Sequence, residues 1–456
     1  MNRREFIRGG AMAAALGASG CTAIAGTGSK KLALLGGTPV IAPEKQADEL
    51  DMFKWPRVNA EMRKASDAVL VGRKMSAGDI SREFEAKFAA WQGTKYALSF
   101  PNGTTSLNAA MYAVGLGAGD EMICTTLTYW ASCLGAVTLG AKVRFCDCRR
   151  DTLCMDPASF EAAITKRTKA VIVVHLSAHP CDMDAIMRIA NRHHIAVIED
   201  VSHAQGGHYK GRKLGTFGKI AAMSLMSGKS FAIGEGGMLV TDDFEIYRKA
   251  IRYGHYDRIP QFFSPKEIAL TKNLPFGAYK HRLNQCASAV GLEQLKKYDR
   301  ERKEIEKAML YFWKQVGDVP GISLIYPKEK GSDKAGWYAS RFAYDPEAFD
   351  GLTNITFSRA LSAEVGGGVS PGGYQPLHMS SLFGKQGRFP VASRINEWMI
   401  GDLWFKRFDR KALDLHAAAF RKVAENWKLL KPLDKGVKPY DGGAGLSDFE
   451  KRKIKR

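Results

Sequence analysis

Short, uninterrupted apolar runs alternate along the chain with longer segments in which apolar residues recur every three or four positions. The runs have strand length and lie at residues 96–100, 121–124, 142–146, 170–176 and 195–198. Helical patterns separate them, at residues 104–114, 129–139, 156–164 and 183–194. Because Val- and Ile-rich runs between helices are typical of parallel strands buried on both faces, this region predicts an α/β fold with a mostly parallel sheet.

The pattern changes after about residue 298. A long charged helix is predicted at 292–316, mixed segments follow, and an amphipathic helix is predicted at 410–430. We therefore expect a large α/β domain with an N-terminal arm over residues 31–300. A smaller C-terminal α+β domain is expected over 301–434 and a loose basic tail over 435–456.

Composition narrows the class of protein. The 456 residues are 45% hydrophobic and 25% charged, as in a globular protein, and no apolar stretch is long enough to span a bilayer. The net charge of +20 fits a nucleic-acid surface, an anionic membrane or small phosphorylated ligands. No basic run is interleaved with aromatic residues, so we do not expect nucleic-acid binding. The eight cysteines are too sparse for a disulfide scaffold, and no Cys or His spacing predicts a metal site.

The first thirty residues read as a targeting segment. Arg3 and Arg4 precede a weakly apolar stretch, a pattern that resembles the twin-arginine export signal. Residues 18–21 are similar to a lipoprotein cleavage box, with Ala18 in place of the usual Leu or Val. Export would place the protein in the periplasm, and lipidation of Cys21 would anchor it to a membrane surface. The alternative is a basic arm without a targeting role, which would leave the protein in the cytoplasm.

The stretch Met226-Ser227-Gly228-Lys229-Ser230 admits two chemistries. Gly-Lys-Ser ends a nucleotide-binding P-loop, but the first glycine of that motif falls on Met223. The segment after Lys229 also reads as a turn and a strand, whereas a P-loop opens a helix. The second chemistry is a lysine that forms a Schiff base with pyridoxal phosphate.

Pyridoxal phosphate needs a lysine, a carboxylate at its ring nitrogen, phosphate donors and a flat group against its ring. Asp200 ends an apolar strand, where parallel sheets bind ligands. The turn at residues 101–105 joins a strand to a helix, and Gly103 allows close approach of the backbone. Tyr129 or Trp130 follows another strand and is a candidate for stacking on the ring. Each signal alone also fits a plain cap, salt bridge or core aromatic.

Four segments in order resemble the DegT/DnrJ/StrS family of pyridoxal-phosphate-dependent sugar aminotransferases, with a likeness that covers roughly residues 32–430. They are GDEMICTTLTYWAS at 119–132, RTKAVIVVHLSAHPCDMDAI at 167–186, IEDVSHAQGGHYKGRKLGTFG at 198–218 and SLMSGKSFAIGEGG at 224–237. The resemblance implies the fold-type-I aminotransferase architecture, with a seven-stranded, mostly parallel sheet and a small C-terminal domain. It also implies a homodimer with active sites shared at the interface.

The resemblance also implies roles for single residues. Lys229 is expected to carry the cofactor and Asp200 to bind its ring nitrogen. Tyr129 is expected to stack on the ring. The residues expected at the phosphate are Gly103, Thr104, Ser224 and, through its backbone, Thr105.

The sequence departs from the family at three positions. His203 stands where the family usually has Gln beside the cofactor's phenolic oxygen, and it can still form a hydrogen bond there. Ala178 replaces a common Gly. Lys280 replaces an Asn that usually reaches the partner subunit's phosphate, and it is expected to serve as a point charge. His378 lies in a segment that resembles a substrate-side segment of the family.

These features predict a transaminase that moves an amino group from an amino-acid donor, expected to be glutamate, to a keto-sugar. A sugar dehydratase of the same family is one alternative, although the known dehydratase branch has His at the lysine position. The other is an exported binding or regulatory protein on an aminotransferase fold, because nucleotide-sugar substrates are cytoplasmic.

Overall fold

The computed structural model describes residues 31–42, 52–76, 78–269, 279–401 and 403–440 of the chain. The predicted export signal at 1–30, with Cys21, lies outside the described residues. So does the end of the predicted tail, residues 441–456.

A seven-stranded sheet forms the centre of the large domain. In chain order the described strands β1 to β13 are Tyr96–Phe100, Glu121–Thr125, Lys142–Cys146, Thr168–Val174, Ala196–Asp200, His208–Tyr209, Arg212–Lys213, Ile220–Ser224, Gly237–Thr241, Ile322–Leu324, Arg341–Tyr344, Ser370–Pro371 and Met399–Gly401. The large sheet has the order β1-β9-β8-β5-β4-β2-β3. Strand β9 runs opposite to its neighbours β8 and β1, and the other adjacent pairs are parallel. The predicted mostly parallel sheet is confirmed.

Helices cover both faces of this sheet and build the second domain. The described helices α1 to α13 are Ala60–Val71, Asp79–Gln92, Gly103–Ala113, Ala131–Thr138, Pro157–Ala162, Met183–Arg192, Phe244–Gly254, Ile259–Phe262, Pro265–Ala269, Gln285–Val316, Asn354–Val365, Arg410–Glu425 and Lys431–Asp434. Short 3-10 helices lie at Ala33–Leu35, Leu176–Ala178, Tyr256–Arg258, Pro346–Phe349, Leu377–Met379, Ser381–Phe383, Ala392–Glu397 and Trp427–Leu430.

Strand β4 shows why its apolar run is uninterrupted. Val171 and Val173 face one core cluster, whereas Ile172 and Val174 face the other, and each is at most 3% exposed. A strand with helices on both sides buries alternate side chains in both directions, so every position is apolar.

Short polar residues begin several helices where the sequence pattern placed their starts. Asp156 accepts a hydrogen bond from the Ser159 N–H at 3.1 Å, and Asp182 accepts one from the Ala185 N–H at 3.1 Å. Such caps satisfy N–H groups that have no acceptor inside the helix.

The smaller domain has its own core. A four-stranded antiparallel sheet, in the order β10-β11-β13-β12, packs with helices α11 and α12 around Phe312, Phe357 and Phe420. Helix α10 is continuous over Gln285–Val316 and therefore crosses the boundary expected at residue 300. Its first half packs on the large domain, where a Cβ atom at Gly291 would lie 2.6 Å from the ring of Phe84.

The N-terminal segment at 31–42 packs against the small-domain core, although the sequence grouped it with the large domain. Leu32 and Ile41 are buried in that core. The fully buried carboxylate of Glu364 accepts hydrogen bonds from the Ala33 N–H at 2.8 Å and the Val40 N–H at 3.0 Å. The Lys422 ammonium donates to it at 3.0 Å. One buried carboxylate thus fastens the beginning of the described chain to helices α11 and α12.

Replacement of Glu364 tests this attachment. We expect Glu364→Ala to lower the free energy of unfolding by about 3 kcal/mol, because it leaves two N–H groups and the Lys422 ammonium without their shared acceptor. Urea denaturation measures the change. The exposed Glu425→Ala on helix α12 is the control and should stay within about 0.5 kcal/mol of the parent protein. Equal stabilities of the two variants would contradict the assigned role of Glu364.

Candidate active site

Three elements of the large sheet end at one edge and bring the candidate residues together. Strands β1, β5 and β8 point the same way, so their carboxyl ends meet. Asp200 is the last residue of β5 and Ser224 the last residue of β8, while Gly103 begins the helix that follows β1. This is the edge at which parallel sheets bind ligands.

Asp200 is held by two serines. Its Oδ2 accepts from the Ser132 hydroxyl at 2.8 Å, and its Oδ1 accepts from the Ser202 N–H at 3.0 Å. The side chain is only 4% exposed, so these bonds fix the direction of a carboxylate that water barely reaches.

Ser202 and Gly103 connect β8 to the start of helix α3. The Ser224 N–H donates to the Ser202 hydroxyl at 3.0 Å. A Cβ atom at Gly103 would lie 2.5 Å from the Ser224 Cβ, so only glycine allows this approach of the helix to the strand. The first turn of α3 therefore begins directly beside Ser224 and presents its N–H groups there.

Thr105, predicted to bind the phosphate through its backbone, takes part in the helix cap. Its N–H and its hydroxyl both donate to the Asn102 Oδ1, each at 2.9 Å, so its backbone N–H serves the helix cap. Within the described residues, the N–H groups of Gly103 and Thr104 are the ones that the cap leaves for an anion.

Lys229 lies in the loop after β8 with its amine kept from water. Its side chain is 9% exposed, and burial lowers its pKa from 10.5 to about 8, while the negative charge of Asp200 opposes this shift. The Nζ atom lies 4.2 Å from the ring centroid of Tyr338. A larger share of this amine is neutral at physiological pH than is usual for lysine, which suits a nucleophile or a proton acceptor.

His203 is held as a neutral ring. Burial lowers its pKa well below 6.5, and the positive charges of Lys229 and Arg341 add to this effect. Its Nδ1 accepts from the Ser177 N–H at 3.2 Å, so the proton of the neutral ring resides on Nε2. The Nε2 atom lies 3.4 Å from the Tyr374 hydroxyl oxygen, and a ligand at this edge would meet a donor.

Tyr129 and Lys280 are the two remaining candidates from the sequence. The Tyr129 ring is 39% exposed and lies 6.0 Å from the Tyr374 ring, which connects it to His203. Lys280 is exposed, and its backbone pairs with that of His255.

Two residues noted in the sequence have structural roles. The buried Ser230 hydroxyl, which needed no role in a Schiff-base site, donates to the Gln205 Oε1 at 2.8 Å and accepts from the Tyr298 hydroxyl at 2.9 Å. His378 lies between the Thr126 hydroxyl, 2.7 Å from its Nδ1, and the Ser393 hydroxyl, 3.0 Å from its Nε2. Both of its nitrogens are therefore engaged within the protein.

Sequence reasoning missed four residues of the site: Ser132, Ser202, Tyr338 and Tyr374. Ser132 lies one helical turn after Tyr129 and Ser202 two residues after Asp200, so local spacing gave a usable signal for both. Tyr338 and Tyr374 come from the small domain, and no local pattern marks them. Among the described residues, no group of three or more His, Cys, Asp or Glu side chains is arranged to hold a metal ion.

Replacing Lys229 by methionine should stabilise the ligand-free protein. The folded-state pKa of about 8 lies below the ordinary 10.5, so the buried ammonium opposes folding fully below pH 8, and the penalty disappears as the pH rises towards 10.5. We expect Lys229→Met to raise the free energy of unfolding by about 3 kcal/mol at pH 7, and by little at pH 10.5. Urea denaturation at both pH values measures this.

The exposed Lys219 gives a matched control, because Lys219→Met should change stability by less than about 0.5 kcal/mol at either pH. A Lys229→Met variant that is no more stable than the parent protein at pH 7 would contradict the assigned burial of the amine.

Comparisons with known proteins identify the family. The sequence profile of the DegT/DnrJ/EryC1/StrS aminotransferase family matches residues 56–401. The L-glutamine:2-deoxy-scyllo-inosose aminotransferase of Streptomyces lividus is 32% identical over 386 residues, which cover 80% of this chain and 89% of that protein.

Solved structures agree with this assignment. The aminotransferase from Psychrobacter cryohalolentis superimposes with a TM-score of 0.72 at 27% identity, covering 82% of this chain and 98% of its own. The E. coli GDP-4-keto-6-deoxy-D-mannose-3-dehydratase with bound hydrated PLP has the same fold, with a TM-score of 0.70 at 21% identity, over 80% of this chain and 99% of its own. The chain belongs to the DegT/DnrJ/EryC1/StrS aminotransferase family and is a pyridoxal-phosphate-dependent transaminase.

Proposed function

We propose that this transaminase moves an amino group from glutamate or glutamine to a ketone on a sugar or sugar-like ring. The buried amine of Lys229 beside Asp200 is the observation that carries the proposal. The relative from Streptomyces lividus is named for an L-glutamine donor and a 2-deoxy-scyllo-inosose acceptor, which supports this substrate class.

The residues present fit pyridoxal phosphate. The close packing of Gly103 on Ser224 forms a cradle that a Cβ atom would fill, and the N–H groups of Gly103 and Thr104 suit a phosphate there. Asp200 would hold the ring nitrogen, Tyr129 would lie against the ring, and the Nε2–H of His203 would donate to the phenolic oxygen. A histidine with its proton on Nε2 offers the same donor as the amide of the family's usual glutamine.

When bound, the cofactor supplies an electron sink that weakens the Cα–H bond of an amino acid. The chain's own residues supply the proton handling. With a pKa of about 8, Lys229 takes up a proton and releases it near neutral pH, which is what a general acid-base catalyst requires. Asp200 stays fixed by Ser132 and Ser202, so the charge beside the amine does not move during the reaction.

Absorbance of the purified protein tests this function. We expect the protein, after addition of pyridoxal phosphate, to show the visible absorbance of a lysine-bound cofactor, and glutamate or glutamine to convert it to the pyridoxamine form. Lys229→Ala should lose the visible absorbance, whereas the exposed Lys219→Ala should keep it.

Two outcomes would contradict the proposal. A wild-type protein that stays colourless with added pyridoxal phosphate would exclude the assigned site. A coloured protein that reacts with no amino donor would favour the binding-protein alternative. The presence of Lys229, rather than the His of the known dehydratase branch, favours transamination over dehydration.

We further propose a homodimer, in which the exposed Lys280 of each chain serves the phosphate of its partner. The family resemblance supports it, and the exposure of the Lys280 side chain leaves it accessible to a partner chain.

We also propose that residues 1–30 direct export by the twin-arginine route and that Cys21 is lipidated. Among the helices that the structure describes, none is long and apolar enough to cross a bilayer.

Cell fractionation tests this location. We expect wild-type protein in the membrane fraction and outside the cytoplasm, because a lipid anchor holds an exported protein at a membrane surface. Arg3→Lys with Arg4→Lys should keep it in the cytoplasm, and Cys21→Ala should release it from the membrane. Arg8→Lys is the matched control. A cytoplasmic wild-type protein would show that the signal is not used.

A further inference from the structure

The loop that carries Lys229 is hydrogen-bonded to the segment that contains Trp55 and precedes helix α1, here called the N-terminal arm. The indole N–H of Trp55 donates to the main-chain oxygen of Lys229 itself, at 2.7 Å. On the other side, the Lys229 Nζ lies 4.2 Å from the centroid of the Tyr338 ring. The backbone and the amine of Lys229 are thus each held by an aromatic side chain from a different part of the chain.

Trp404 contacts both Trp55 and Tyr338. Its side chain lies 5.8 Å from that of Trp55 and 5.6 Å from that of Tyr338, measured between centroids. Its indole N–H donates at 2.8 Å to the main-chain oxygen of Gly336, two residues before Tyr338. Trp404 therefore bridges Trp55, which contacts the Lys229 backbone, and Tyr338, which contacts the Lys229 amine. Trp55, Tyr338 and Trp404 are here called the aromatic clamp.

The backbone beneath Tyr338 has an unusual conformation. Ala335, Trp337 and Ala339 have φ angles of 46°, 58° and 51°, a region that residues other than glycine rarely adopt. Strained residues of this kind persist where the surrounding structure holds them, and they concentrate at functional sites. Here they flank Tyr338 on both sides.

The same loop is fitted to the segment after Lys229. A Cβ atom at Gly336 would lie 2.3 Å from the Ser230 Cβ, so the Gly336 backbone packs directly on the Ser230 side chain. Ser230 is fixed in turn by Gln205 and Tyr298. The loop at 335–339 consequently cannot move without shifting the residue next to Lys229.

We propose that Trp55, Tyr338 and Trp404 are positioning residues, which fix the Lys229 amine over the sheet edge and keep water from it. The inference rests on the proposed role of Lys229. It predicts that the N-terminal arm and the small domain, although outside the cofactor cradle, control the reactivity of the lysine.

Chemical labelling of Lys229 in the cofactor-free protein tests the clamp directly. The rate of acylation by a small amine-reactive ester, read by mass spectrometry of the Lys229 peptide across pH, reports the pKa of this amine. In wild-type protein we expect that pKa near 8. In Trp404→Ala water reaches the amine, and we expect its pKa to rise by about one unit towards 10.5. The midpoint of the labelling rate against pH reads this shift, because the rate at a single pH also depends on how easily the reagent reaches the amine.

Trp427→Ala is the matched control, because Trp427 packs on Phe349 in the small-domain core and takes no part in the clamp. It should lower stability and leave the labelling profile of Lys229 unchanged. If Trp404→Ala and Trp427→Ala give the same profile as wild type, the clamp has only a structural role and the proposal is overturned.

Trp55→Phe keeps an aromatic ring and removes only the N–H donor, so it addresses the case in which Trp404→Ala does not fold. We expect the half-reaction with glutamine or glutamate to slow about tenfold at saturating donor, with the donor concentration for half-saturation within about twofold. An unchanged rate would overturn the role of Trp55. If wild type shows no half-reaction, the proposed function fails, while the labelling experiment still judges the clamp.

Discussion

A lysine amine kept out of water beside a fixed carboxylate is the constraint on which the rest of this site depends. An ammonium buried in this way opposes folding, and the pKa of Lys229 falls to about 8 as a result. The nearby charge of Asp200 limits that fall, because it favours the protonated form. The amine therefore stays close to the balance between its two protonation states, which neither burial nor the carboxylate would produce alone. A site of this kind trades stability for reactivity.

Such a balance requires that water be excluded from several directions. The sheet edge supplies one wall and the start of helix α3 another, through the contact of Gly103 with Ser224. Tyr338 of the small domain contacts the amine, Trp404 packs behind Tyr338, and Trp55 binds the Lys229 main-chain oxygen. The early part of the chain is attached to the small domain at two places. Glu364 binds N–H groups within residues 31–42, and the Lys406 N–H donates to the Met52 main-chain oxygen. These attachments hold Trp55 near the small-domain residues of the clamp.

The parts of this molecule that the sequence predicted are those with local causes. Strand β4 was visible because burial on both faces makes every position apolar, and Asp156 marked a helix start because a cap needs a short polar acceptor. The site residues at strand ends followed from the same logic together with the family resemblance. At Thr105 the structure adds what the sequence did not show: the N–H donates to the Asn102 Oδ1 of the helix cap, and the geometry of the turn selects this acceptor.

The aromatic clamp could not be predicted, because its members lie far apart in the sequence and no periodicity connects them. The domain boundary predicted near residue 300 falls inside a helix for a related reason. Helix α10 shows one continuous charged pattern, yet its two halves pack on different cores, and composition does not record which core a helical face contacts.

The replacement at position 203 shows how the surroundings preserve a chemical function when a side chain changes. A histidine exposed to water carries a positive charge at mildly acidic pH, and in its neutral form the proton can reside on either ring nitrogen. Here burial and the charges of Lys229 and Arg341 keep the ring neutral, and the Ser177 N–H occupies Nδ1, which leaves the proton on Nε2. The surroundings therefore convert a residue with several protonation forms into a single fixed donor, as an amide would be. Ser177 has a positive φ of 54°, so the N–H that fixes the His203 ring belongs to a strained turn. Strained backbone of this kind concentrates at functional sites.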